Sequence, residues 1–319
     1  MRNHWSGASL EIKVIGDVTQ RRLRFLKIVT HSVESIEVAT AAWTHWLGYQ
    51  LVAEGRLNKD LCSAWDTPQS TGQRYCILQP ASGAEVFIRF IENSIANSYT
   101  PASYGWSATE LLVTDPDQLL RDLADSPFTH VAGPLDLFPQ QKSPRALQMY
   151  GPSGELLYFT RILPGGSRYG MKGAVSPVDR PFIVPIGGPS MIDMHRFYGD
   201  QLGLRTMEPI SFVNGIMARA CGVDSQTPFS MSIAPIPGRR FLIELDELPG
   251  GLKYRPIPPG QLPTGMAMVS FLVECLEDIP VPLCARPETI QDLPYNGRRT
   301  AVIRGPAGEW LELIERQNA

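Results

Sequence analysis

Two stretches of the chain copy each other around residues able to do chemistry. RALQMYGPSGELLYF (145–159) and RTAVIRGPAGEWLEL (299–313) both run Arg, five residues, Gly-Pro-x-Gly-Glu, then x-Leu, yet Glu312 in the second stands where the first has Tyr158. A carboxylate in such a place can serve as general acid or base. A tyrosine hydroxyl can instead donate to a developing enolate or phenolate oxygen. Other reactive side chains are dispersed. No two of His31, His45, His130 and His195 have a spacing that brings them together locally, and each reads as structural or surface-lying. The cysteines (Cys62, Cys76, Cys221, Cys275, Cys284) are odd in number and lack CxxC spacing, which argues against a disulfide framework or a zinc knuckle.

What positions these residues is a repeat longer than the hairpin. Residues 24–48 give a β-rich run, Ser35, then apolar Ile36, Ala39, Trp43, Trp46 and Leu47 at helical spacing, closed by Gly48. Residues 181–203 do the same. Ser190 with Asp193 makes a capping-box-like start, Met191, Met194, Tyr198 and Leu202 form the buried stripe, and Gly203 ends the helix. A strand and helix are also predicted over 107–124, where Asp115, Pro116 and Gln118 agree on the helix start. The counterpart over 266–278 keeps the strand, but Pro280 and Pro282 cut its helix to a turn.

Short β-rich runs follow each opening, so the chain reads as four strand-helix-strands units in two pairs, an α+β architecture. The predicted domains are 22–163 and 178–316, joined by a Gly/Pro/Ser-rich linker over 164–177 and preceded by an extension over 1–21. A second Pro/Gly-rich stretch, 246–265, reads as a lid or a disordered linker.

At 319 residues the chain has room for two domains with real cores. A net charge of -3 and a pI near 6.0 give no pull toward nucleic acid or anionic membrane. The sequence has neither an apolar run of about eighteen residues nor the uninterrupted apolar core of a signal peptide in its first twenty. It reads as soluble and cytoplasmic, with a small-molecule partner and no nucleic acid or membrane partner; a homodimer is left open.

The fourfold repeat is similar to that of the vicinal oxygen chelate superfamily of glyoxalase I, bleomycin-resistance proteins and extradiol dioxygenases. The residues that carry the resemblance are the helix ends WTHWLGY (43–49) and FYGDQLGL (197–204) and the hairpins GPSGELLY (151–158) and GPAGEWLE (305–312). It covers nearly the whole chain beyond the first twenty residues. The resemblance implies four βαβββ modules paired, as in the extradiol dioxygenases, into two tandem incomplete β-barrel domains whose concave faces form the sites. It also implies metal-ligand positions in the first strands of modules three and four and at the hairpin. Counted seven residues back from the helix-capping positions, these are Ile183, Met268 and Glu312, with Ile28, Ala108 and Tyr158 as the first-domain equivalents. One oxygen ligand of three survives, and Ile and Met do not hold iron, manganese or zinc there. No metal and no other cofactor is expected.

Strand alternation puts Thr30, Glu110, Pro185 and Ser270 on the same face as those vacated positions. The hairpins add Leu156, Tyr158 and Thr160, and Trp310, Glu312 and Ile314. Glu312, desolvated in an apolar cavity, is the expected general acid or base, or else a relic paired with Arg299 or Arg304. Glu110 and Tyr158 form the parallel pair, as catalytic groups or with the hydroxyl merely satisfied by Glu110. The predicted substrate-binding set is Ser270, Met268, Ile183, Trp310, Arg299, Tyr254 and Arg255, the last two reaching from the long loop. Arg89 and Glu244 occupy matching places in modules one and three, where they meet across an interface, bind substrate or face solvent.

Three functions follow. The first is a metal-independent enzyme of lyase or isomerase type, using a cavity carboxylate on a small apolar or aromatic oxygen-bearing substrate. The second is a protein that binds or sequesters a small molecule without reaction. The third is an extradiol-type dioxygenase with non-standard metal ligands.

Overall fold

The computed structural model describes residues 14–15, 21–94, 103–167, 169–238 and 240–316. The extension over 1–21 lies outside the described residues except at Val14–Ile15 (β1) and Arg21. Module one is β2 (Phe25–Val33), α1 (Ile36–Leu47), β3 (Gln50–Arg56), α2 (Lys59–Trp65), β4 (Arg74–Gln79) and β5 (Phe87–Glu92). After β6 (Ser103–Trp106), module two is β7 (Thr109–Val113), α3 (Pro116–Asp122), β8 (Thr129–Asp136), β9 (Arg145–Tyr150) and β10 (Leu156–Arg161). Module three begins with β11 (Val178–Gly188) and α4 (Met191–His195), which runs into a π-helical turn over Arg196–Gln201. It continues through β12 (Thr206–Met207), β13 (Ile210–Val213), α5 (Gly215–Cys221), β14 (Pro228–Pro235) and β15 (Leu242–Glu247). After β16 (Lys253–Tyr254), module four is β17 (Met266–Val273), β18 (Glu288–Ile290), β19 (Arg298–Arg304) and β20 (Trp310–Glu315).

The helices begin where their caps say they must. Ser35 accepts from the Val38 amide, Ser190 from that of Asp193, and Asp115 from those of Asp117 and Gln118, satisfying amides that the first turn leaves without partners. Gly48, at φ 70°, closes α1 in the left-handed conformation. In module four the chain makes only a turn after β17, with the Ile279 amide bonded to the Leu276 carbonyl at 3.3 Å, as the two prolines require.

The strands form two curled sheets, each an incomplete barrel, but the modules do not pair in chain order. One sheet runs β18-β19-β20-β17-β2-β5-β4-β3 and joins modules one and four; this is the first barrel. The other runs β13-β14-β15-β11-β7-β10-β9-β8 and joins modules two and three as the second barrel, with β6 and β16 added beside β11. At the centre of each, two first strands meet antiparallel, β2 against β17 and β7 against β11. The expected pairing of one with two and three with four is therefore replaced by a crossed one. All four first strands are buried on both faces and carry the same apolar pattern, so nothing local to a module dictates which edges meet.

An apolar core including Val29, Phe90, Leu111, Phe159 and Val184 lies between the sheets. His31 is buried in it, its Nε2 3.2 Å from Thr109 Oγ1; burial, then the charge of Arg255, pushes its pKa down to about 3. Nor is the stretch 246–265 a lid or a loose linker. Its β16 pairs parallel with β6, the Gly260 carbonyl accepts from the Gln69 amide at 2.9 Å, and the Pro263 carbonyl accepts from Ser32 Oγ at 2.8 Å.

The frame of the repeated hairpin fastens the barrels to each other. Glu155, in module two, accepts from Trp43 Nε1 of module one at 3.0 Å. Glu309, in module four, accepts from the Tyr198 hydroxyl of module three at 2.7 Å. The other oxygen of each carboxyl takes a hairpin amide, Ser153 or Ala307. The glycines that open the motif leave room for these side chains: a Cβ on Gly151 would sit 2.2 Å from Glu155 Cδ, and one on Gly305 1.9 Å from Glu309 Oε1. Glu309→Ala strands the buried Tyr198 hydroxyl, and the expected loss of stability is about 1–3 kcal/mol in urea denaturation, with a similar loss for Glu155→Ala.

Candidate functional site

The parallel pairing of first and last strands sets which residues face each other inside each barrel. In the first barrel Thr30 is in register with Arg89 and Ser270 with Glu312. In the second, Glu110 is in register with Tyr158 and Pro185 with Glu244. The first-strand positions opposite the hairpin are thus two residues beyond Ile28, Ala108, Ile183 and Met268. Arg89 and Glu244, matched by sequence, are matched in place.

The first barrel is closed. Its inserted helix α2 lays Leu61, Cys62, Ala64 and Trp65 against Ile28, Ile77, Met268, Val302 and Ile314 and fills the concave face. At the bottom Glu312, with no exposed surface, is surrounded by donors. Its Oε1 accepts from Trp65 Nε1 and the Tyr295 hydroxyl, both at 2.7 Å, and from Thr300 Oγ1 at 3.2 Å. Its Oε2 accepts from Arg89 Nη2 at 3.0 Å and from Ser270 Oγ. Arg89, 1% exposed, also donates from Nε to Thr30 at 3.0 Å and lies 4.5 Å from the Trp65 ring. Burial works against its charge, but Tyr295 and Glu312 outweigh that and hold its pKa above the ordinary arginine value. The cavity left beside Arg89 and Tyr295 is about 10 Å³, the room of one water.

The expected apolar cavity around Glu312 is therefore a filled one, and the partner of Glu312 is Arg89. Arg299 sits at the surface against Glu277 at 2.6 Å, and Arg304 lies over the Trp310 ring. Ser270, expected to bind substrate, is buried and donates to Glu312, and Met268 and Trp310 are buried in the apolar cluster of the same barrel. Ile183 is not with them but in the second barrel, because module three pairs with module two. Arg255 is buried between the sheets and donates to the carbonyls of Trp106 and Met266. Tyr254 is 53% exposed and meets Tyr104 edge to face.

The second barrel is less completely covered than the first. Tyr158, Glu244, Ile183, Gln148 and Leu156 on its concave face are half-buried, above a floor of Leu112, Phe182, Ile233 and Leu242. Met171 and Tyr169 of the linker pack on that floor and form one wall. Three carboxyl groups face this space: Glu110, Glu244, and Asp246 two residues further along β15. Burial and then the Glu244 charge push Glu110 up to about 8, against the hydroxyl of Thr160. Burial pushes Glu244 to about 7 and, with Glu244 beside it, drives Asp246 well above the carboxylate range. Burial raises Tyr158 as well, helped by the charges of Glu244, Asp246 and Glu110. The sequence flagged Glu110, Tyr158 and Glu244 but not Asp246, because the alternation in FLIELDE reads as a solvent-facing polar edge.

These raised groups carry a sign for stability. Glu110 and Glu309, at about 8 and about 7 in the fold, hold protons that the unfolded chain releases near 4.5. Their contribution is complete below that value and is lost as pH rises through 7 to 8. Calorimetry is expected to show the melting temperature falling between pH 5 and 8.5, and Glu110→Gln to flatten part of that fall.

Neither barrel fits the metal that the fold family implies. In the first, the Arg89 guanidinium occupies the face opposite Glu312. In the second, the ligand atoms do not converge. Among the described residues the trio of His, Cys, Asp or Glu atoms found within 4.8 Å of one another is Cys275, Glu277 and Glu315 at the surface, where Arg299 already pairs with both acids.

The two barrels together have counterparts among solved structures. A single-residue mutant of glyoxalase I from Zea mays matches with a TM-score of 0.62 at 12% identity, over 91% of this chain and 93% of that one. The unmutated maize enzyme matches at 0.59, with 12% identity and 91% and 92% coverage. A Bacillus subtilis protein assigned as a dioxygenase matches at 0.58, with 14% identity over 94% of this chain and 87% of that one. No protein-family model matches the chain, and no curated protein sequence does. At 12–14% identity the likeness is one of fold: the chain has the fold of glyoxalase I. Among the described residues no helix is long and apolar enough to cross a membrane.

Proposed function

We propose that the chain is a proton-transfer enzyme of lyase or isomerase type, working in the second barrel on a small apolar or aromatic substrate that bears an oxygen. The observation that carries this reading is the pair Glu110 and Glu244 on one partly exposed concave face with Tyr158, both raised by burial from the ordinary carboxylate range into the neutral range. Two raised carboxyls that face each other share protons near neutral pH, and in this reading Glu110 keeps the proton while Glu244 is the ionised one. Glu244 then takes a proton from the carbon next to a carbonyl. The oxygen that gathers charge accepts hydrogen bonds from Tyr158 and from the protonated Glu110. Apolar walls keep both groups in these states, and Glu312 in this reading holds the first barrel together.

The test is deuterium exchange. Aromatic ketones and aldehydes with an enolisable C–H are incubated with the protein in D2O and followed by proton NMR. Exchange that depends on Glu244 supports the reading. A full panel without exchange refutes it in favour of a cavity that binds without reaction.

A further inference from the structure

The first barrel shows how this fold neutralises an interior carboxylate: it sets a guanidinium opposite, Arg89 to Glu312 at 3.0 Å. The second barrel has three interior carboxyls, and at the place matching Arg89 it has not a cation but Glu244 itself, with Tyr158 at the place of Glu312. No ion pair among the described residues includes Glu110, Glu244 or Asp246. Asp246, only 3% exposed, keeps an Oδ1 without any hydrogen-bond partner. It shares the Glu244 face of β15, since Ile243 and Leu245 between and beside them belong to the core on the other side. A buried acceptor left bare is costly and points to a donor from outside the chain.

We infer that the second barrel binds a ligand carrying an organic cation, an ammonium or guanidinium, on an apolar body, with Asp246 and Glu244 taking the charge. The apolar floor of Leu112, Phe182, Ile233 and Leu242 suits the body. A bare metal ion suits the site less, because Glu110, Glu244 and Asp246 do not bring three ligand atoms within 4.8 Å of one another. An ammonium with three donors bridges acceptors that diverge. The inference rests on the second barrel being the working site, and it names the charge of what enters.

Calorimetric titration of the full chain with three probes of one aromatic body tests it: 2-phenylethylamine, 2-phenylethanol and 3-phenylpropanoate, with manganese chloride as a fourth. The amine is expected to bind at least tenfold more tightly than the alcohol, and the carboxylate not at all. Asp246→Asn is expected to cost at least tenfold in amine affinity, while Glu277→Gln, at the surface, leaves it unchanged. Should Asp246→Asn fail to fold by circular dichroism, Glu244→Gln in the same titration must show the loss. Equal binding of amine and alcohol, indifference to both substitutions, or displacement of the amine by manganese overturns the inference. Amine binding without deuterium exchange leaves it standing and removes the proton-transfer reading; exchange without amine preference does the reverse.

Discussion

Glu244→Gln is expected to leave a folded protein whose deuterium exchange falls by at least about a hundredfold, the usual worth of a positioned general base. Glutamine keeps the volume and the hydrogen bonding of the side chain and removes only its basicity. The pH profile of the unsubstituted protein should be a narrow bell, with an acid limb near 7 from the ionisation of Glu244 and an alkaline limb near 8 from the loss of the Glu110 proton. The two limbs belong to the interacting pair. Glu110→Gln retains a donor toward the substrate oxygen, so exchange should persist at a reduced rate and the alkaline limb disappear. A profile of exchange that is flat from pH 6 to 9, or a Glu244→Gln protein as fast as the parent, sinks the assignment of both groups.

The second large effect concerns stability and the first barrel. Arg89→Met leaves Glu312 buried beside neutral donors only, and breaking a buried pair by removing one partner costs about 3–5 kcal/mol. Chemical denaturation should show that loss. Glu312→Leu alone leaves the Arg89 charge stranded and should cost a similar amount. The double substitution removes both charges from a barrel already lined by Ile28, Met268, Val302 and Ile314, and is expected to recover at least half of either single loss. If Arg89→Met costs under about 1 kcal/mol, the pair does not hold the barrel, and a direct chemical role for Glu312 comes back into contention.

How much of this could be read from the chain depends on whether the cause was local. Caps, prolines and the Gly-Pro-x-Gly-Glu frame act within a few residues, and Ser35, Asp115, Ser190 and Pro280 fall where their chemistry put them. Strand alternation is also local, and it placed Thr30, Glu110, Pro185 and Ser270 on the concave faces opposite the hairpin residues. Which concave face each belongs to is a matter of sheet edges meeting, and those edges look alike in all four modules. That one ambiguity separated Ile183 from Glu312, supplied Arg89 as its partner and turned Glu244 and Asp246 toward Tyr158. The plug in the first barrel had a signal that pairing did not obscure: Asn58 caps a short helix, accepting from the Leu61 amide, and KDLCSAW carries a tryptophan to the right depth. Module three has a helix at the same point, α5 between β13 and β14, so what sets the first barrel apart is the side chains that α2 buries, Leu61, Cys62, Ala64 and Trp65, where α5 buries Ala218.

The crossed pairing also sets an order of assembly during synthesis. The second barrel draws its strands from one continuous stretch of chain, so it can close as soon as β15 has emerged from the ribosome. The first barrel cannot: Arg89 and Glu312 lie 223 residues apart, and β2 waits with an unpaired edge until β17 is made. Contacts so distant along the chain form slowly, and an open strand edge is where nascent chains stick to one another. The second barrel is thus the one completed early, and the barrel with the buried ion pair is the clasp that closes last around the early and late parts of the chain.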